Sequence, residues 1–249
     1  MPKIWVLRGI KKGIVTSKFP RKGSTADEVP KCSVPPGATA DSDWASGEKV
    51  CPTSAIRGSE RRIELGKCVF CRRCSSAGFV FDEGDEGRST ALQAQIIQTN
   101  ADLLEKKRRA FKKSFHVMMI DVGSCNACNL EVLNLSNPYY DLTRLGVFFT
   151  NSPKHADALI VVGALNRSMV EVLKRTYESM PEPKLVISAG ACAISGGVFQ
   201  GTESFVSPVQ NVIPVDAVIP GCPPSPIQIL EGLLLVTGNL EKKEVRATQ

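Results

Sequence analysis

The chain has 249 residues, with 31 Lys and Arg against 25 Asp and Glu, a formal charge of +6, and 43% hydrophobic residues. That length buries a sizeable core without staples, and the composition excludes wholesale disorder. No apolar run reaches the roughly 18 residues of a membrane-spanning helix, and the N-terminus MPKIWVLRGIKKG lacks the apolar core and cleavage site of a secretory signal, so a cytoplasmic location is expected.

Nine cysteines stand beside only two histidines. Without an export signal a disulfide framework is not expected, and the short, clustered spacings point to metal or cluster ligation. Through Phe115 there are 22 Lys and Arg against 13 Asp and Glu, or +9; from His116 onward there are 9 against 12, or −3. A basic half joined to a mildly acidic one suggests two modules.

Residues 1–88 are rich in Gly, Pro, Lys, Ser and Cys. Short strands are expected at Ala55–Arg57, Arg62–Leu65 and Gly78–Phe81. Such a turn-rich segment has too little apolar material to fold on packing alone, so it needs a staple. KCVFCRRC supplies Cys68, Cys71 and Cys74 in a C-x2-C-x2-C run, with Cys51-Pro52 upstream. In bacterial two-cluster ferredoxins a cysteine followed by proline ligates the cluster of the other run. The segment resembles such a domain after the loss of one cluster. That resemblance implies one [4Fe–4S] cluster on Cys51, Cys68, Cys71 and Cys74, with zinc the alternative. Cys32 is then a leftover thiol, and Ser33–Gly47 an irregular loop held by neighbouring protein or by Trp44 packing inward. GIVTSKFPRK also resembles the start of ferredoxin-like hydrogenase subunits.

Ala91–Lys113 reads as a basic helix within a linker spanning residues 89–114, its densest patch being Lys106, Lys107, Arg108, Arg109, Lys112 and Lys113. A solvated face is one reading, docking to an acidic partner or anionic headgroups the other. With 6% aromatics and no accompanying motif, nucleic-acid binding is not expected.

From residue 115 to 249 apolar runs of strand length alternate with helical stretches: HVMMIDVG, VFFTN, ALIVVGAL, KLVISAG and VIPVDAVIPG against NLEVLNLS, SMVEVLKRTYESM and SPIQILEGLLLV. Continuously apolar strands imply burial on both faces, hence an α/β fold with a parallel sheet covered by helices. Function in such sheets gathers in the loops after the strand C-termini. Cys125 and Cys128 in GSCNAC, Cys192 in SAGACAISGG and Cys222 in IPGCPPSP all follow strand ends. Four thiolates converging there suit Zn(Cys)4 or a [4Fe–4S] cluster. No dinucleotide or P-loop motif appears.

GSCNAC, YDLTRLGV, SPKHADALIVVG, PEPKLVISAGACAISGGVF and VIPVDAVIPGCPPSP are similar to the small electron-transfer subunit of membrane-bound, energy-converting [NiFe] hydrogenases and to the 20-kDa subunit of respiratory complex I. The resemblance implies a flavodoxin-like open sheet and a [4Fe–4S] cluster on Cys125, Cys128, Cys192 and Cys222. It also implies a hydrogenase-type or complex I 49-kDa-like large subunit as partner, with other ferredoxin-like and membrane subunits beside it on the cytoplasmic side of a membrane. An acidic soluble ferredoxin is a further candidate. The complex I subunit usually has two adjacent cysteines at the first ligand position, whereas Cys125-Asn126-Ala127-Cys128 has the hydrogenase spacing. The expectation is therefore an electron-transfer subunit with two [4Fe–4S] clusters and no complete active site of its own, the alternatives being a complex I-like quinone oxidoreductase subunit and a free-standing iron–sulfur or zinc module with a binding role. Glu131 is either a proton or partner contact or a capping carboxylate. His116 and His155 are not needed where four thiolates serve, and Arg144, in a stretch with Tyr139, Tyr140 and Asp141, either forms an ion pair that holds the loop beside the cluster or serves structural packing.

Overall fold

The computed structural model describes residues 5–13, 36–81, 95–96, 111 and 114–238. Helix α1 (Trp5–Lys12) opens the chain. A small unit follows, made of α2 (Trp44–Val50) and the antiparallel hairpin of β1 (Ile56–Arg57) and β2 (Arg62–Ile63). Asp43 starts α2 by accepting hydrogen bonds from the backbone N–H of Ala45 (3.0 Å) and Ser46 (3.2 Å), as an N-cap does. The core of this unit is small: Ile56, Cys74, Ala77 and Phe79, with Trp44, Cys51, Ile63 and Phe81 packed against it.

The expected strands at 55–57 and 62–65 are present in shortened form, and the third is a single bridge between Gly37 and Val80. Trp44 packs edge-to-face on Phe79, with centroids 5.2 Å apart. Only part of the expected irregular loop is irregular, because Trp44–Gly47 is the first turn of α2.

The larger unit is built on β4 (Phe115–Asp121), α3 (Ala127–Asn134), β5 (Val147–Phe149), β6 (Ala158–Val162), α4 (Val170–Glu178), β7 (Leu185–Ala189), α5 (Ala191–Ser195), β8 (Ala217–Ile219) and α6 (Pro226–Thr237). The strands lie in the order β5-β4-β6-β7-β8, all parallel. This is the flavodoxin-like order, with its switch point between β4 and β6. All five residues of β6 and all five of β7 are buried. Alternate side chains of these strands join two different cores, because successive strand residues point to opposite faces. Ile160 and Ile187 meet α3 and α6 on one face, and Leu159 and Val186 meet α4 and α5 on the other.

Helix α6 begins with a capping box between Ser225 and Gln228, with Pro226 in its first turn, and ends at left-handed Gly238. It buries almost its entire surface.

One expectation is corrected. Gln95 and Ile96, placed in a helix by composition, form a short strand β3 that pairs antiparallel with β8 at the sheet edge. An edge backbone that would otherwise be unpaired outweighs helix propensity there. The remainder of the expected basic helix, with its Lys/Arg patch, lies outside the described residues except Phe111. Phe111 is buried and packs on Phe115 with centroids 5.4 Å apart.

Candidate iron–sulfur sites

The first thiol set is almost wholly local. Cys51 ends α2, and Cys68, Cys71 and Cys74 follow β2 and enter a short 3-10 turn at Arg73–Ala77. All four line one hollow, whose walls include Ile56, Ile63, Phe70 and Phe81. The backbone bends sharply to aim them there: Ser54, Phe70 and Arg72 have φ of 51°, 54° and 60°, in the left-handed region that side chains rarely adopt. Two of the resulting N–H groups point at sulfur, from Ala55 to Cys51 Sγ (3.2 Å) and from Phe70 to Cys68 Sγ (3.4 Å).

Burial pushes the Cys68 thiol up to about 11, and the neighbouring thiols add to the rise. Burial also raises Cys74. Cys51 goes the other way. Burial raises it, but the backbone N–H groups of Thr53, Ala55 and Ile56 and the Thr53 hydroxyl together pull it below its ordinary value. Arg72 and Arg73 are exposed between these ligands, and the Arg72 guanidinium lies 5.3 Å from the Phe81 ring centroid. Cys32 lies outside the described residues.

The second set is assembled by the sheet. Cys125 and Cys128 follow β4, Cys192 lies in α5 after β7, and Cys222 follows β8, so parallel strands deliver all four thiols to one edge. Burial pushes Cys128 up to about 12 and Cys192 to about 11, and Cys222 also rises. Mutual repulsion contributes to these shifts: the other three thiols act on Cys128, while Cys222 and Cys125 act on Cys192. The four therefore lie close enough to act on one another. Beside them the β7 and β8 loops are tied by backbone bonds from Gly190 N–H to Ile219 O (2.9 Å) and from Ala191 N–H to Gly221 O (2.8 Å).

The fit leaves no room at the closest approach. Gly190 has φ +90°, and a Cβ there would stand 2.6 Å from Cys128 Sγ. At the switch point, a Cβ on Gly163 would stand 2.4 Å from the backbone N of Ser124, so the loops after β6 and β4 touch only because that residue is glycine.

Sequence reasoning missed the anchor of the first loop. Asp121, the last residue of β4, accepts hydrogen bonds from Gly123 N–H (3.0 Å), Ser124 N–H (2.8 Å), Ser124 Oγ (2.6 Å) and Asn129 Nδ2 (3.3 Å). Partial burial raises its pKa, but these bonds lower it further, so the carboxylate stays charged and holds the loop bearing Cys125 and Cys128. The signal was legible as an Asp three residues before a Ser at a strand end.

Other expected residues fall elsewhere. Both histidines lie at the opposite edge of the sheet. His116, near the start of β4, sits 3.4 Å from Asp157 and stacks on Phe148, and His155 precedes β6. The Arg144–Asp141 ion pair exists, at 3.3 Å. It does not hold a loop beside the thiols, because the chain from α3 to β5 returns to the N-terminal ends of the strands, where Phe115 N–H bonds Gly146 O. Glu131 is half-buried on α3, a few residues from the second thiol set.

The family described as NADH ubiquinone oxidoreductase, 20 Kd subunit, matches residues 125–236. An uncharacterized protein of Methanocaldococcus jannaschii is 45% identical over 136 residues, 51% of this chain and 90% of that one. The probable membrane-bound hydrogenase subunit mbhJ of Pyrococcus furiosus is 42% identical over 51% of this chain and 75% of its own length. An NADH-quinone oxidoreductase subunit of Citrifermentans bemidjiense is 41% identical over 59% of this chain and 84% of its own. With the sheet order, the strand-end thiols and these likenesses in agreement, the chain belongs to the 20-kDa subunit family of NADH:ubiquinone oxidoreductase, a family of iron–sulfur subunits of oxidoreductase complexes.

Proposed function

We propose that the chain is an electron-transfer subunit that relays electrons through two [4Fe–4S] clusters to or from a hydrogenase-type large subunit. One cluster is held by Cys51, Cys68, Cys71 and Cys74, the other by Cys125, Cys128, Cys192 and Cys222. The observation that carries this reading is that all eight described cysteines fall into two sets of four, the first lining one hollow and the second gathered in the loops at one edge of the sheet. A cluster supplies one-electron chemistry without bond changes in the protein.

The residues present fit such a group. Each set offers four thiols, the first with backbone N–H groups aimed at sulfur, the second with glycine at the closest approach. Among the described residues no three His, Cys, Asp or Glu side chains are arranged to hold a single metal ion.

The division of labour follows the chain. In this reading residues 1–88 make the ferredoxin-like unit, 89–114 the connection, which also lends β3 to the sheet edge and Phe111 to the larger core, and 115–249 the unit that meets the large subunit. Cys125 is exposed, and Leu130 and Leu133 on α3 and Val198 after α5 lie 54%, 51% and 59% exposed near the second thiol set. Apolar side chains left in water beside a redox site are what a large subunit would cover. No helix of the described residues is long and apolar enough to cross a membrane. In this reading membrane association comes through other subunits, on the cytoplasmic side.

A complex I-like quinone oxidoreductase is the second reading, because the NADH-quinone oxidoreductase relative is nearly as similar as the hydrogenase one. The spacing of Cys125 and Cys128 favours the hydrogenase branch.

The test is anaerobic reconstitution of the full chain. About eight irons, with an absorbance band near roughly 400 nm that dithionite bleaches, are expected for two thiolate-bound clusters. A colourless, zinc-loaded protein overturns the reading.

A further inference from the structure

Among the described residues, a close contact joins the turn before Cys68 to the helix that carries Cys192. Gly66 lies at the tip of a turn closed by hydrogen bonds from Lys67 N–H to Glu64 O (2.9 Å) and from Cys68 N–H to Leu65 O (3.1 Å). The turn is fixed to the small unit by Glu64, whose N–H bonds Ala55 O (2.7 Å) and whose carboxylate pairs with Arg57 (3.2 Å), Arg62 (3.0 Å) and Lys67. A Cβ on Gly66 would stand 2.9 Å from Cγ2 of Ile194. Ile194 belongs to α5, the helix that carries Cys192.

Backbone conformation does not call for this glycine, since its φ lies outside the left-handed range. What calls for it is space. The obstructing atom is bound directly to the Cβ of a β-branched residue, whose χ1 is stiff, so no flexible tip can swing aside. Helix α5 is also fixed: Ala191 N–H is bonded to Gly221 O and Ser195 Oγ to Ala191 O (2.9 Å).

We propose that Gly66 is a positioning residue for electron transfer within the chain, its missing side chain letting the turn that carries Cys68 close on the helix that carries Cys192. The proposal rests on the two-cluster reading above. Cys68 is two residues beyond Gly66, a reach of at most about 7 Å, and Cys192 is two residues before Ile194, about 3 Å along a helix axis. The contact therefore makes a short protein route between a ligand of one cluster and a ligand of the other. In each transfer one electron leaves a reduced cluster and enters an oxidised one; no bond forms or breaks and no proton moves. Tunnelling falls steeply with distance, so a side chain that wedges the two surfaces apart slows it without touching a ligand.

The test uses the full chain, reconstituted and fully reduced, with iron content and low-temperature electron paramagnetic resonance as readouts. In the parent protein the two reduced clusters are expected to broaden or split each other's signals. Gly66→Val is expected to keep about eight irons and to lose that interaction, leaving two separate signals. Adding Ile194→Ala, which removes the obstructing methyl, should restore it. Gly66→Ala serves as a milder wedge with a smaller loss.

Two clusters that show no interaction in the parent, or an interaction unchanged in Gly66→Val, overturn the proposal and leave the two-cluster reading standing. About four irons in the parent overturns that reading and the proposal with it. Loss of a cluster in both single variants at Gly66 means that the residue holds a ligand loop rather than a spacing, which also overturns the proposal.

Discussion

The two thiol sets solve one problem in opposite ways. The first gathers Cys51, Cys68, Cys71 and Cys74 within a short stretch of chain around a small core of Ile56, Ala77 and Phe79, with Cys74 itself part of it. The second gathers Cys125, Cys128, Cys192 and Cys222 from loops far apart in sequence, on a sheet whose two faces are each closed by a large core. The comparison teaches where the folding free energy comes from. At roughly 25 cal/mol per Å2 of apolar burial, so small a core among the described residues does not offset the entropy of ordering some forty-five, so on the two-cluster reading the ligated group is expected to contribute. The sheet needs no such help, and its site is built before anything binds.

The largest expected effect separates the two sets chemically. Cys192→Ser removes one ligand from the sheet-built site and leaves the other set untouched. It is expected to remove about four of the eight irons and to abolish electron delivery to the large subunit, while the signal of the first cluster persists. Activity at the parent level in an assembled complex would sink the assignment.

Iron removal sharpens the contrast in folding. Stripping both clusters is expected to unfold the small unit and to spare the large one. Hydrogen exchange followed by mass spectrometry reads this directly: residues 36–81 lose protection, and β6 and β7 keep theirs. Protection retained across residues 36–81 would show that the small core suffices without a cluster.

Surface charge gives a smaller effect, confined to the first set. Arg72 and Arg73 are exposed between its ligands and would draw an acidic donor. Replacing both by Glu is expected to slow electron entry from an acidic ferredoxin about tenfold or more at low salt and to flatten the salt dependence. An unchanged rate at low ionic strength would remove the docking idea.

The smallest effect lies in the pH dependence of the iron-free large unit. Its buried thiols are harder to ionise than free ones: Cys192 is pushed to about 11 and Cys128 to about 12, against an unfolded value near about 8.5. Above the unfolded value the native state binds more protons than the unfolded state, so the stability these thiols contribute is present at neutral pH and is lost as pH rises toward 11. Urea midpoints of the iron-free protein are expected to fall between pH 8 and 10, and to fall less in Cys128→Ser. A midpoint that rises over this range contradicts the sign. Cluster assembly must also release these protons, so it is expected to be faster at pH 8 than at pH 6.

Much of this was legible in the sequence because the signals are local. Strand-length apolar runs such as ALIVV and LVISA are buried on both faces wherever they occur in a parallel sheet, so the fold class followed from periodicity alone. The run Cys68-x2-Cys71-x2-Cys74 carries its ligand geometry in its spacing. The position of each remaining thiol just after a strand end told which edge of the sheet it would occupy.

What the sequence could not determine depends on pairing and on space. That β4, β7 and β8 bring Cys125, Cys192 and Cys222 together follows from strand order, which no local pattern encodes. Gln95 and Ile96 have side chains that suit a helix, and only an open backbone edge on β8 made them a strand. Arg144 forms an ion pair, with Asp141, yet the path of the chain puts that pair at the far edge of the sheet. The carboxylate of Asp121 became an anchor, and the bare Cα of Gly66 a contact surface, because close packing leaves a missing atom as consequential as a present one.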